Sequence, residues 1–177
     1  LRSVQLSIQD ATAAASDRIA GTESFERKLA IARAARELGL ALTLNVVLHR
    51  ENLGNVGALI ELSRALDADR LELANAQYDG WALVNRDALL PSREQLEAAS
   101  AVVAEERFRA LRPELVWVLP DYFSGRPKPC MGGWGRRLAV VAPDGLVLPC
   151  HAARDLPGLS IWNARERWLA EYWNDAP

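Results

Sequence analysis

The sequence predicts an α/β protein with a parallel sheet through about residue 120, followed by a smaller module of a different kind. Two observations support this prediction. Apolar runs typical of strands alternate with segments of helical periodicity. From Asp121 the composition then changes to proline, glycine and aromatic residues that show neither periodicity. We therefore expect two domains, residues 1–120 and residues 121–177.

The strands of the first domain are predicted from four apolar runs, at residues 4–8, 40–48, 71–76 and 115–119. Helical spacing of apolar residues predicts three helices between them. The first covers residues 25–38 and is stopped by Gly39, and the second covers residues 56–66 with Asn52 as its cap. Ser92 and Gln95 form a capping box that opens the third. The alanine-rich residues 11–15 are interpreted as a loop or a helix entry.

The charge balance argues against several classes of partner. The chain has 21 basic and 23 acidic residues, and the basic ones are scattered, which disfavours nucleic-acid binding. No apolar run reaches the roughly 20 residues that span a bilayer. The first ten residues also lack the pattern of a signal peptide. We therefore expect a cytoplasmic protein that binds neither nucleic acid nor membranes.

Polar residues late in the predicted strands are the candidates for ligand binding, because ligands of parallel α/β sheets bind at the carboxyl ends of the strands. Most of them could equally be ordinary loop residues or caps. Asn45 differs, since it lies inside an aliphatic run where an unpartnered amide is costly. Either a ligand or a dedicated backbone partner is expected for it. The candidates on the three strands are Ser7, Gln9 and Asp10; Asn45, His49, Arg50 and Asn52; Glu72 and Asn75.

The two cysteines, Cys130 and Cys150, stand at the ends of one stretch in the second module. Between them, residues 138–142 and 146–148 predict a β-hairpin with Asp144 and Gly145 at its turn. A helix at about residues 164–173 follows.

A metal or cluster site is one interpretation of these cysteines, although zinc and iron–sulfur clusters ordinarily take four protein ligands. Further ligands in this chain could be His151, Asp144 or Asp155, none with convincing spacing. His151 could instead donate a hydrogen bond to a cysteine sulfur. The alternative for both thiols is burial as small hydrophobes.

Five segments resemble a known family. The spacing of Cys130, Gly145 and Cys150 is similar to the opening of a SPASM domain, the auxiliary-cluster extension of radical S-adenosylmethionine enzymes. The segments VQLSIQDA, LNVVLHRENL, LELANAQYDGWALVNRDALLPSREQLE, PDYFSGRPKPCMGGWG and APDGLVLPCHAAR narrow the resemblance to the peptide cyclases of pyrroloquinoline quinone (PQQ) biosynthesis. The resemblance covers essentially the whole chain.

The resemblance implies the C-terminal half of a partial (β/α)6 TIM-like barrel, followed by the start of a SPASM domain. It also implies an oxidoreductase in which a [4Fe-4S] cluster cleaves S-adenosylmethionine reductively, with auxiliary iron–sulfur clusters in the SPASM domain. The substrate would be the peptide PQQA, in which a glutamate is joined to a tyrosine ring by a carbon–carbon bond. A small peptide chaperone would deliver it.

Residue roles are carried over from the same resemblance. Ser7, Gln9, Asn45 and the backbone from Leu73 to Asn75 fall where the family holds S-adenosylmethionine. Cys130 and Cys150 become two ligands of an auxiliary cluster.

The chain also departs from the family, because it contains neither the CxxxCxxC loop nor the GGEP-type motif. We therefore expect an internal fragment that is inactive alone. Because a half-barrel leaves sheet edges unpaired and apolar helix faces uncovered, we also expect it to associate as a dimer or domain-swapped assembly. A zinc- or peptide-binding module without catalysis is the alternative.

Overall fold

The computed structural model of the chain describes residues 1–78, 80–109, 112–118, 123, 135 and 137–175. The chain divides into two compact units, Leu1–Ser124 and Gly125–Pro177. None of the described helices is long and apolar enough to cross a membrane.

A four-stranded parallel sheet forms the centre of the first unit. Its strands lie side by side in the order in which they follow one another along the chain. The predicted strands are therefore confirmed, and their bounds are β1 Ser3–Ser7, β2 Ala41–Leu48, β3 Arg70–Asn75 and β4 Glu114–Val118.

Helices connect the strands, and the three predicted from periodicity are confirmed. The described helices of this unit are α1 Ala13–Ala20, α2 Phe25–Glu37, α3 Val56–Ala65, α4 Gly80–Val84, α5 Arg86–Leu89 and α6 Arg93–Arg109. The capping box of α6 is also confirmed. Ser92 N–H donates to Gln95 Oε1 at 2.9 Å, and Gln95 N–H donates to Ser92 Oγ at 3.2 Å.

Two details of the helices differ from the prediction. The alanine-rich segment enters a full helix, α1, because Thr12 caps it by accepting from Ala15 N–H and Gly21 ends it at φ 67°. Asn52 does not cap α3, since its side chain makes no capping bond to the 3-10 turn Leu53–Asn55 that precedes this helix. Its amide binds the ends of two strands instead.

The core of the first unit lies on one face of the sheet. Side chains of a strand alternate between the two faces, and on this face Leu44, Leu71 and Leu115 pack against Leu29, Ile60 and Val103 of the helices. The residues that alternate with them are half-buried or exposed. The sheet therefore has an apolar face covered by helices and an opposite face that remains open among the described residues.

The second unit contains the predicted hairpin, which is confirmed. Its antiparallel strands are β5 Val140–Val141 and β6 Val147–Leu148, followed by a 3-10 turn at His151–Asp155. The predicted start of the last helix is wrong, because α7 spans Leu169–Asp175. Asn163 Oδ1 accepts from Arg165 N–H at 3.0 Å and holds the preceding residues in a turn.

Candidate functional site

Three polar side chains form a row across the open face of the sheet. The strand register pairs Ser7 of β1 with Asn45 of β2, and Asn45 with Glu72 of β3. Ser7 is exposed, whereas Asn45 and Glu72 are half-buried. The structure thus brings Ser7 and Asn45 together, as the sequence predicted for neighbouring parallel strands.

A side chain is the partner of Asn45, and not the backbone group that the sequence left open. Asn45 Nδ2 donates to Glu72 Oε2 at 3.2 Å. The same oxygen accepts from Gln5 Nε2 at 3.3 Å, and Arg70 lies 3.7 Å from the other oxygen. The sequence gave Glu72 as one of the polar candidates for ligand binding but gave no sign of this contact. The register that places Asn45 opposite Glu72 shows it, and the sequence pattern does not supply that register.

Gln9 lies just past β1 and is held within the chain. Its Oε1 accepts from Lys28 Nζ at 2.6 Å and from Ser16 Oγ at 3.5 Å. Its backbone carbonyl accepts from Asn52 Nδ2 at 2.8 Å. Among its polar groups, the amide Nε2 has no bond to a described residue. This amide group is therefore left available among the described residues.

Asn52 joins the ends of β1 and β2 from a fully buried position. Besides the carbonyl of Gln9, its Nδ2 reaches the carbonyl of Val47 at 2.9 Å. Its Oδ1 accepts from His49 N–H at 2.8 Å. Both amide hydrogens and one lone pair of Oδ1 are used to fix the loops, so Asn52 acts as a scaffold of the site.

Leu73 and Asn75 lie on the other face of the sheet from Glu72. Leu73 is wholly buried in the core. Asn75 Nδ2 donates to the carbonyl of Val118 at 2.8 Å, whereas its buried Oδ1 has no partner among the described residues. The structure does not bring these two side chains to the row of Ser7 and Asn45. The sequence assigned a ligand role to their backbone, and that role stays a prediction.

His49 lies at the end of β2, and the structure brings it close to acidic groups. Its Nδ1 accepts from Glu51 N–H at 3.3 Å. Burial lowers the pKa of His49, a decrease to which Arg18 adds and which Glu51 and Asp10 oppose. The ion pair with Arg18 lowers the pKa of Glu51 in turn. The imidazole is therefore neutral at pH 7, and Glu51 is a carboxylate.

Asp10, beside it, is almost fully buried and accepts two bonds from Asn55 Nδ2, at 2.9 and 3.1 Å. Its backbone neighbour Ala11 donates a third, at 2.6 Å. The carboxylate therefore fixes the loop after β1.

The cysteines are only partly placed. Cys130 lies outside the described residues. Cys150 follows β6, is half-buried and packs against the small apolar cluster of the second unit. Over the described ranges, no three His, Cys, Asp or Glu side chains are grouped as a metal site would need.

Asp144, a candidate metal ligand, is already engaged. It forms an ion pair with Arg154 and accepts from Leu146 N–H at 3.3 Å. These two contacts, the backbone bond first, lower its pKa. His151 is exposed, and the side chain of Asp155 lies outside the described residues. The contacts of Asp144 therefore do not favour it as a ligand, and the roles of His151 and Asp155 stay predictions.

A cavity of ≈ 240 Å³ lies in the second unit. Leu148, Ile161 and Tyr172 line it together with two tryptophans, Trp162 and Trp173.

Comparison with solved structures defines the class of fold. The chain superposes on Streptococcus suis SuiB bound to S-adenosylmethionine with a TM-score of 0.70, over 98% of this chain and 42% of SuiB. The structure of SuiB bound to its precursor peptide SuiA gives 0.68. Both are 17% identical to this chain, so the likeness establishes a shared α/β fold with a parallel sheet.

Comparison with curated proteins gives the family, although no protein-family model matches the chain. PqqA peptide cyclases of Granulibacter bethesdensis, Xanthomonas euvesicatoria and Gluconobacter oxydans are 50%, 51% and 47% identical over 98–99% of this chain. The chain spans about half the length of these relatives, between 47% and 49%. Along almost its whole length the chain is therefore similar to PqqA peptide cyclases, as the quoted segments predicted.

Proposed function

We propose that the protein acts in PQQ biosynthesis as a radical S-adenosylmethionine enzyme. It joins a glutamate and a tyrosine of the peptide PQQA by a carbon–carbon bond, which makes it an oxidoreductase. The observation that carries this proposal is the identity of about 50% to curated PqqA peptide cyclases along almost the whole chain. The likeness to SuiB, a protein solved with S-adenosylmethionine and with a precursor peptide, supports the same class.

The fold fits this proposal as the C-terminal half of a partial (β/α)6 barrel. Parallel strands in sequential order are the repeating unit of such barrels, and the open face of the sheet becomes the barrel interior. The hairpin β5–β6 and α7 then form the beginning of the SPASM domain.

The row on the open face is the proposed site for S-adenosylmethionine. The fit is chemical: Ser7 offers a hydroxyl, Asn45 an amide oxygen, and Gln9 its amide Nε2, at the edge where parallel sheets bind ligands. These groups match the ribose hydroxyls, the amine groups and the carboxylate of the cofactor. The backbone from Leu73 to Asn75 is the fourth proposed contact. When bound, S-adenosylmethionine supplies the group that starts the reaction, and the role of this chain is to bind and orient it.

The iron–sulfur clusters are also part of the proposal, but this sequence contains only some of the ligands that they need. Cys130 and Cys150 are proposed as two ligands of an auxiliary cluster, and the described residues do not supply the others. The radical [4Fe-4S] cluster requires cysteines beyond the two in this sequence. The 177 residues alone are therefore proposed to be inactive.

The proposed partners follow from the family. They are the peptide PQQA and its small peptide chaperone, in the cytoplasm. The open sheet face and unpaired sheet edges make self-association of the isolated chain, as a dimer or domain swap, part of the proposal.

Anaerobic reconstitution of the full-length natural chain that carries this sequence tests the proposal. We expect iron–sulfur absorption and conversion of PQQA to a product two mass units lighter, because one carbon–carbon bond replaces two bonds to hydrogen. Cys130→Ala and Cys150→Ala should each remove part of the absorption. A colourless protein with stoichiometric zinc and no product would instead favour the zinc- or peptide-binding module.

A further inference from the structure

We propose that Glu72 is a positioning residue that orients the amide of Asn45 toward S-adenosylmethionine. This inference rests on the proposed function, since it needs Asn45 to face that cofactor. Glu72 itself is assigned no contact with the cofactor.

The orientation of the amide follows from the chemistry of its partner. A carboxylate only accepts hydrogen bonds, so the end of an amide that faces it must be the NH2 end. Glu72 Oε2 faces Asn45 at 3.2 Å and Gln5 at 3.3 Å. One carboxylate oxygen therefore fixes two amides that belong to two different strands.

As a consequence, the amide oxygen of Asn45 points away from Glu72. Because the two polar atoms of an amide diverge from the same carbon, Oδ1 is turned from β3 when Nδ2 is held there. None of the described residues donates to this oxygen. It is available to a donor, and S-adenosylmethionine carries donors of three kinds, namely ribose hydroxyls, an adenine amine and an ammonium group. Without Glu72, the amide can rotate and present its NH2 group instead.

Stability alone does not account for a glutamate at this position. Glutamate is depleted in strands, and its ion-pair contact with Arg70 is long, at 3.7 Å. Arg70 makes shorter bonds to Glu114, at 2.9 and 3.0 Å. The shorter contacts of the Glu72 carboxylate are the hydrogen bonds from the amides of Asn45 and Gln5, at 3.2 and 3.3 Å.

The test is a double-mutant cycle on the affinity for S-adenosylmethionine, measured by anaerobic calorimetry on the reconstituted full-length natural chain. Asn45→Ala and Glu72→Ala should each raise Kd about five- to tenfold, the loss of one hydrogen bond. The double variant should bind no more weakly than Asn45→Ala, because Glu72 acts through Asn45. Glu72→Gln, which keeps an acceptor, should stay within about twofold of the unmodified protein.

Two further variants make the result specific. Glu114→Ala removes a carboxylate from the same face that contacts Arg70 and not Asn45, and it should leave Kd unchanged. Glu72→Met keeps the size of the side chain without an acceptor, and it replaces Glu72→Ala if that variant does not fold. A weaker affinity in Glu72→Met than in Glu72→Gln supports the positioning role.

The outcomes separate the two proposals. If Asn45→Ala binds S-adenosylmethionine normally, the proposed cofactor site is wrong, and the positioning role is overturned with it. If Asn45→Ala weakens binding but Glu72→Ala and Glu72→Met do not, the site stands and the role of Glu72 is overturned. A third outcome also overturns the role of Glu72. In it, Asn45→Ala and Glu72→Ala weaken the affinity equally, the two losses add in the double variant, and Glu72→Gln binds as weakly as Glu72→Ala, which would show a structural effect only.

Discussion

The two compact units of the chain differ in what holds them together. In the first unit, one cluster joins strand and helix residues, and twenty of its members are buried among the residues that the structure describes. Leucine, isoleucine and valine dominate this cluster, and several of these side chains have no exposed surface at all. Burial of such side chains is the main favourable contribution to folding.

The second unit has a much smaller core among the residues that the structure describes. Its described buried cluster contains Ala142, Leu148 and Ala153, two of which are alanines. Its other contacts are directional. Tyr172 lies edge to face on Trp162 with 5.7 Å between ring centroids, and the amide of Asn163 binds the hairpin turn. Small domains with little apolar core usually require a metal or a disulfide, so the proposed ligation through Cys130 and Cys150 would stabilise this unit.

The largest expected effect comes from the core of the first unit. Leu44 is 1% exposed in the central strand β2, so Leu44→Ala should lower the free energy of unfolding by about 3 kcal/mol through lost burial and a residual cavity. Val47, on the same strand, is 48% exposed and is the matched control, with an expected loss below about 1 kcal/mol for Val47→Ala. Urea unfolding followed by circular dichroism measures both. Equal losses would contradict the assignment of the two faces.

The turn of the second unit gives the next largest effect. Gly145 has φ 92°, and a Cβ there would approach Asn163 Oδ1 to 2.4 Å. Gly145→Ala should therefore destabilise the hairpin by about 2 to 3 kcal/mol through backbone strain and displacement of Asn163. Gly158 has φ 81° but nothing within 4 Å of a Cβ, so Gly158→Ala should cost only about 1 kcal/mol.

Hydrogen exchange of the amides in β5 and β6 measures this difference. If Gly145→Ala and Gly158→Ala lose the same protection, the contact with Asn163 contributes nothing. If Gly145→Ala also shifts the unfolding of the first unit, the two units are not independent in stability.

The sequence predicted the first unit better than the second, for a physical reason. Apolar periodicity reports burial, and the first unit is built on burial, so its four strands and the helices α2, α3 and α6 were predictable. The short helices α4 and α5 were not, because they bury no side chain and leave no apolar stripe. The late start of α7 was missed because side-chain bonds precede and open this helix: Asn163 Oδ1 accepts from Arg165 N–H, and Glu171 Oε2 accepts from Trp168 N–H.

The candidate site shows the same limit. Ser7 and Asn45 were predictable as neighbours, since both occupy late positions on adjacent parallel strands. The bond from Asn45 to Glu72 was not, because it depends on the register of β2 against β3, which a periodic pattern does not fix to one residue. Polar contacts between strands are therefore visible only once the structure gives the register.

A polar contribution to the first unit can be measured at Asn52. This residue is fully buried and binds Gln9, Val47 and His49 through their backbones. Asn52→Ala leaves those groups without partners and should cost about 2 kcal/mol. The control is Asn85→Ala. Among the described residues, the side chain of the exposed Asn85 donates to the carbonyl of Trp81 alone, at 2.8 Å, and the expected loss is below about 0.5 kcal/mol. If the two variants unfold at similar urea concentrations, the buried hydrogen bonds of Asn52 contribute no measurable stability, and the first unit is stabilised by apolar burial alone.

The smallest expected effect is a pH dependence at His49. An unfolded histidine titrates near pH 6.5, and burial lowers the pKa of His49 in the folded protein. At pH values between these two pKa values, the unfolded chain therefore binds more protons than the folded protein. The contribution of His49 to the stability of the fold is complete above about pH 6.5, and it is lost as the pH falls through the lower folded pKa. The carboxylates whose pKa is lowered, such as Glu51 and Glu106, titrate at more acidic pH and do not produce this slope. Urea unfolding at pH 7.5 and pH 5.5 should show a loss of stability that His49→Gln reduces. The same loss in both proteins would assign the slope to other groups, and it would remove the buried imidazole from the account of how the first unit is stabilised.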